Sequence, residues 1–192
     1  MRKKAIVTGG SSGIGRGIVY CLAEAGYDVV FSYRSKKDSA QKVLEDLKKS
    51  YPQGEFACFE AQLSEPGAGK RLFGQAVEFL GGLDLMVNNA GITIIESIFD
   101  LTEENMDYLI NLMFRNYILM MREAACYMAA NQIQGSILNI SSTRANSAHP
   151  GDAVYGGIKA GLNRAIQSFA LDLAPYKIRI NNILPGATRR FT

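Results

Sequence analysis

The chain has one histidine, His149, and only three cysteines, Cys21, Cys58 and Cys126, in 192 residues. No CxxC or Cys/His spacing occurs, so no metal site is expected. Three distant cysteines, odd in number, make no disulfide framework. They are expected to be reduced thiols of a cytoplasmic protein, each a small buried hydrophobe. Charge of one sign is also scarce: 21 Lys and Arg stand against 18 Asp and Glu. The only basic clusters are "RKK" at residues 2–4 and "SKK" at 35–37, which argues against nucleic-acid binding. No apolar run is long enough to span a membrane, and "AIV" near the N-terminus is too short for a signal peptide.

What the sequence does have is rhythm. Short apolar runs alternate with segments of helical period. Strands are expected over 3–9, 28–33, 55–61, 83–91, 135–142 and 177–186. Helices are expected over 13–26, 37–50, 69–81 and 153–175, with a long one over 102–132 that breaks near Met113. Nearly continuous apolar strands imply burial on both faces. Alternating strands and helices then give an α/β fold, a doubly wound parallel sheet. No linker, repeat or low-complexity tract interrupts residues 1–192, which read as one domain.

The turn after the first strand reads "IVTGGSSGIGRGI", residues 6–18. A glycine-rich strand-to-helix turn lets backbone N–H groups approach a pyrophosphate and aims a helix N-terminus at it. Here Gly9, Gly13 and Gly15 are spaced G-x-x-x-G-x-G rather than G-x-G-x-x-G. The form T-G-x-x-x-G-I-G resembles the cofactor loop of the short-chain dehydrogenase/reductase family. Four more motifs come in family order: "NNAG" (88–91), "NISS" (139–142), "YGGIK" (155–159) and "NNILPG" (181–186). The resemblance runs from residue 4 to about 188 and implies a Rossmann fold. Within the family the sequence looks most like 3-oxoacyl-[acyl-carrier-protein] reductases, with sugar or polyol dehydrogenases next.

Tyr155 and Lys159 lie four apart on an expected helix and so share a face. A free phenol has a pKa near 10; a neighbouring ammonium favours its phenolate and fits it for acid–base work. A surface Tyr/Lys pair is the bland alternative, and the resemblance decides for catalysis. It implies that Ser142 hydrogen-bonds the substrate oxygen, that Tyr155 moves the proton, and that Lys159 lowers the phenol's pKa and binds the nicotinamide ribose. Ser141 competes for the serine role, but the family register favours Ser142.

The resemblance further implies a cofactor site built from Thr8, Gly9, Ser11, Ser12, Gly13, Ile14 and Gly15 at the loop. Gln62 and Leu63 would lie at the adenine, with Asn89, Ala90 and Gly91 near its ribose. Pro185 and Gly186, with Ile183, would frame the nicotinamide, and Thr188 would sit near its carboxamide. The residue that selects NAD(H) is normally acidic and ends the second strand. Tyr33 occupies that position here, and Arg34 comes directly after it. Arg34, with Ser32, Ser35 and Lys36, can receive a 2′-phosphate, so the cofactor is expected to be NADP(H). An Arg34 that is merely exposed would admit NAD(H) too.

Two departures from the family stand out. Aligning "LINLMFRNYI" to the family's V-N-L-x-G puts Met113 at the position of a catalytic asparagine. Methionine has no amide for a proton relay, so an altered relay and a slow enzyme are expected, unless a local bulge brings Asn111 or Asn116 into play. The sequence also stops at "ATRRFT", so the C-terminal strand and substrate-covering helices are expected to be absent from the chain. The run 117–128 is apolar all round, which fits a homo-oligomer interface, dimer or tetramer. His149 is read as a solvated loop residue, and Arg144 as either meeting an acidic substrate or facing water. The expected activity is hydride transfer between a small-molecule ketone and a secondary alcohol. The alternative from another class is a non-catalytic NADP(H)-binding sensor or scaffold.

Overall fold

The computed structural model describes residues 2–188. Six parallel strands form one sheet in the order β3-β2-β1-β4-β5-β6. They are β1 (Lys3–Val7), β2 (Tyr27–Tyr33), β3 (Phe56–Glu60), β4 (Leu85–Asn88), β5 (Ser136–Ile140) and β6 (Arg179–Ile183). The helices are α1 (Gly13–Glu24), α2 (Lys37–Ser50), α3 (Ala68–Leu80), α4 (Glu103–Leu109), α5 (Asn116–Ala130) and α6 (Ala153–Leu173).

Successive strand residues feed opposite cores, which is why the strands read as unbroken apolar runs. Ile6, Val30, Met86 and Ile137 pack with α3, α5 and α6. Ala5, Val7, Val29 and Phe31 pack with α1 and α2. The strand order reverses between β1 and β4, and in open α/β sheets that reversal opens a crevice at the carboxyl ends of the strands.

The break expected near Met113 is a π-helical segment, Ile110–Arg115, between α4 and α5. The Asn116 amide N–H donates to the Asn111 carbonyl, five residues back. Such one-turn bulges insert an extra residue and rotate the helix beyond them.

Two expectations need correction. The cysteines are not buried: Cys21 and Cys126 are exposed and Cys58 is half-buried. Helical phase explains it, since α1 buries Gly15, Val19 and Ala23, a row that leaves Cys21 on the opposite side. The apolar run 117–128 is in large part internal core, because Tyr117, Met120, Met121, Ala124 and Met128 are all buried within the chain.

Candidate active site

Backbone bonds and small residues hold the turn after β1. The Gly9 N–H donates to Ser32 Oγ (3.1 Å) and the Gly10 N–H to the Ser32 carbonyl (2.8 Å). Thr8 Oγ1 accepts from the N–H groups of Asn89 (2.9 Å) and Ala90 (3.0 Å). The Asn89 side-chain amide donates to the carbonyls of Thr8 (2.9 Å) and Gly9 (3.1 Å). The first turn is thus stapled to the loop after β4, across the point where strand order reverses. Ser32 is buried and engaged with the glycines, so it does not join Arg34 at a phosphate.

Gly13 and Gly15 differ in kind. A Cβ on Gly15 would lie 2.1 Å from the Gly9 carbonyl oxygen, whereas one on Gly13 would meet nothing within 4 Å. Gly13 has φ +56°, a conformation that favours glycine. It leaves open space over the N-terminus of α1, where Ser12 is exposed and its side chain caps nothing. The first N–H groups of a helix have no intrahelical partner and carry the positive end of its dipole, so this cradle fits a pyrophosphate. Ser11 is buried beside it and Ile14 is exposed in the first turn.

The remaining expected cofactor residues ring the same edge. Gln62 is half-buried and Leu63 buried just past β3, while Gly91, Gly186 and Thr188 are exposed. The Pro185 carbonyl accepts from the Thr143 N–H (3.1 Å). Arg34 and Ser35 are exposed after β2, and the Arg34 guanidinium donates to the Tyr108 hydroxyl on α4. Tyr33 is different: its ring lies in the core beside α2, and its carbonyl is taken by the Ala61 N–H.

Across the crevice, β5 and α6 bring the proton-transfer candidates together. Lys159 is buried, and its ammonium donates to the Ile140 carbonyl (2.8 Å). Its Nζ lies 5.6 Å from the centre of the Tyr155 ring and 5.1 Å from that of Tyr117. Burial pushes the Lys159 pKa down to about 8. Ser142 is extended, and its Oγ accepts from the Arg144 N–H (3.2 Å), which leaves its hydroxyl proton to donate. Ser141 is already committed, its Oγ bonding Asn163 Oδ1 (3.0 Å) and the Lys159 carbonyl (3.3 Å). The two serines thus differ: Ser141 is tied to α6, while Ser142, the one that the family register favours, keeps a proton to donate.

The asparagines flanking Met113 make no side-chain hydrogen bond to Ser142, Tyr155 or Lys159. Asn116 is buried with its Oδ1 turned towards Gly69 of α3. Asn111 is half-buried and bonds through its carbonyl only as the π turn. The Met113 sulfur packs against Gly91. Arg144 is not a solvated loop residue: it pairs with the buried carboxylate of Asp152 (3.2 Å).

Sequence reading missed a row of asparagines. Asn88, Asn139 and Asn182 are direct partners across β4, β5 and β6. Asn88 Nδ2 donates to Asn139 Oδ1 (2.9 Å), Asn139 Nδ2 to Asn182 Oδ1 (2.9 Å), and Asn182 Nδ2 to Asn163 Oδ1 on α6 (2.7 Å). The sequence signal for it was that three of the motifs each place an asparagine at a strand end.

Comparison with known proteins agrees with this architecture. The short chain dehydrogenase family model matches residues 3–192. A 3-oxoacyl-[acyl-carrier-protein] reductase, FabG, of Staphylococcus aureus is 35% identical over 97% of this chain and 74% of its own. A solved short-chain dehydrogenase/reductase from Serratia marcescens superposes with a TM-score of 0.92 at 33% identity, covering 98% of this chain and 75% of that one. A short chain dehydrogenase from Burkholderia cenocepacia, solved in complex with NADP, gives 0.91 at 33% identity with the same coverage. The chain belongs to the short-chain dehydrogenase family and is an oxidoreductase. Among the described residues, no helix is long and apolar enough to cross a membrane.

Proposed function

We propose that this oxidoreductase interconverts a ketone and a secondary alcohol with NADP(H), and that a 3-oxoacyl thioester is its substrate class. The observation that carries the proposal is the buried Lys159 ammonium 5.6 Å from the Tyr155 ring, beside a serine hydroxyl free to donate. The open cradle at Gly13 and the first N–H groups of α1 fit the pyrophosphate. Arg34, with no carboxylate ending β2, fits a 2′-phosphate. Exchanging the neutral Tyr108 hydroxyl for a phosphate oxygen gives Arg34 a charge-assisted bond. The NADP-bound Burkholderia relative supports the same choice. When bound, the nicotinamide supplies the hydride in reduction and accepts it in oxidation.

In reduction, the Ser142 hydroxyl donates to the substrate oxygen and Tyr155 gives that oxygen its proton. The Lys159 ammonium stabilises the phenolate left behind. In oxidation, the phenolate takes the alcohol proton. The high-pH side of the profile is set by Lys159, whose charge is held below about pH 8. Alcohol oxidation needs that charge and falls as pH rises through this value.

The substrate class rests on the likeness to a 3-oxoacyl-[acyl-carrier-protein] reductase and on a small apolar recess that includes Val154, the residue before Tyr155. Ile94, Ile98, Leu101, Leu109 and Val154 line it, with Glu96 and Ser97 among few polar neighbours. The recess, about 20 Å³, is too small to hold a substrate, but its apolar lining is a better neighbour for an acyl chain than for a polyol. The test is NADPH oxidation by full-length protein with a 3-oxoacyl thioester, a keto-sugar and acetoin. The thioester should turn over fastest. Tyr155→Phe should lower kcat by about 10³-fold with NADPH affinity unchanged, and Arg34→Ala should reduce the preference for NADPH over NADH about tenfold. Tight NADPH binding with no turnover of any ketone would favour the sensor or scaffold instead.

A further inference from the structure

Tyr117 is one residue past the start of α5 and fully buried. Its hydroxyl is enclosed and bonds no described residue. An unpartnered buried hydroxyl costs about 1–3 kcal/mol relative to a satisfied one, so whatever the site gains from Tyr117 comes from its ring and not from its hydroxyl. The surroundings show what else the side chain does. Its ring lies under the Lys159 ammonium at 5.1 Å, nearer than the Tyr155 ring. Burial, with Tyr155 close by, pushes the Tyr117 phenol well above its ordinary pKa, so it stays neutral.

Lys159 is short of partners. The described groups facing its ammonium are the Ile140 carbonyl from β5, Tyr155 from its own helix and Tyr117 from α5. None of the ion pairs seen, those of Arg2, Arg122 and Arg144 among them, includes Lys159. A buried ammonium without a counter-ion tends to lose its proton. An aromatic face attracts it instead, most strongly where water is excluded. Met113, one helical turn before Tyr117, supplies no polar atom from the position where the family has an amide.

We propose that Tyr117 is a positioning residue of this active site: its ring face holds the Lys159 ammonium in place and charged beside Tyr155. The inference rests on the functional reading above for its consequence in turnover. Its direct effect on Lys159 is measurable in the cofactor-free protein. The extra residue of the π segment matters here, because it sets the rotation at which α5 leaves and so which face Tyr117 occupies.

The test is an NMR titration of the Lys159 side chain in isotopically lysine-labelled full-length protein, assigned with Lys159→Met. Position 117 carries tyrosine, phenylalanine, or phenylalanines with increasing ring fluorination, which weakens the negative ring face at nearly constant shape. Tyr117→Phe keeps the ring and should leave the Lys159 midpoint in place. Progressive fluorination should lower it stepwise, by about one pH unit in all. The falling limb of alcohol oxidation should move with it. A midpoint that ignores fluorination overturns the proposal, as does Tyr117→Phe shifting it as far as the most fluorinated ring. If the wild-type protein turns over no ketone, the functional reading fails while the titration still decides the role of Tyr117.

Discussion

The two sides of the crevice are built by opposite means. On the β1–β2 side, backbone groups do the holding: the glycine turn, Ser32, Thr8 and Asn89 form a closed set of short bonds with little side-chain bulk. On the β4–β6 side, side chains do it: an amide row, a buried ammonium, two phenols and a serine. Beyond that row the surface opens into Ile92, Ile95, Ile98, Phe99 and Leu101, which are 36–94% exposed. A dinucleotide pyrophosphate has a fixed shape, and close-approaching backbone is a rigid match to it. Proton transfer needs titratable groups with shifted affinities, which only side chains supply.

This contrast can be broken from either side. The largest effect should come from Gly15→Ala. The added Cβ falls against the Gly9 carbonyl, a backbone atom that cannot rotate away, and we expect a loss of about 3 kcal/mol. Thermal unfolding would register it, with NADPH binding weakened in parallel; Gly13→Ala meets no atom but must hold φ +56°, and should cost about 1 kcal/mol from that strain alone. A wild-type melting temperature for Gly15→Ala would show that the turn has slack.

Next is Asn139→Ala. It leaves the amides of Asn88 and Asn182 without their shared partner in a buried site, at a cost of about 2 kcal/mol. Urea unfolding measures the loss, and the Lys159 midpoint should shift, because Asn182, which donates to Asn163 on α6, loses the bond from Asn139 that holds it. If stability falls while Lys159 titrates normally, the row is a sheet device only. The smallest effect belongs to Phe99→Ser. This side chain is 94% exposed, and its loss should change stability by less than about 0.5 kcal/mol. A larger drop in melting temperature would mean that the loop packs more tightly than its exposure indicates.

Much of the fold was legible in sequence because the central strands β1, β2 and β4 are mostly apolar on both faces and the helices keep their period. Boundaries ran long where motifs were read as strand. The first strand ends at Val7 rather than residue 9 because Thr8 turns its hydroxyl to Asn89 and Ala90. The fourth ends at Asn88 for the same bonds seen from the other side. Tyr155, Lys159 and the glycines were legible because their spacing is local. The asparagine row was not, since each amide's partner lies on another strand. Tyr117 was not either, because an aromatic within an apolar helix reads as core until a cation is found on its face. Tyr33 shows the converse: its place in the chain marked it for the cofactor, while strand alternation turned its ring inwards.

The asparagine row is also a gauge of height. Because Asn88, Asn139 and Asn182 stand level across three strands, they act as a datum line. Counting three residues onward from each gives Gly91, Ser142 and Pro185. Three loops thus leave the sheet from a single height, each delivering a residue of the candidate site after an equal length of chain. A slip of one strand by one residue would part the amides and put its loop out of step with the other two, so alignment of the site is checked by the sheet before any ligand arrives.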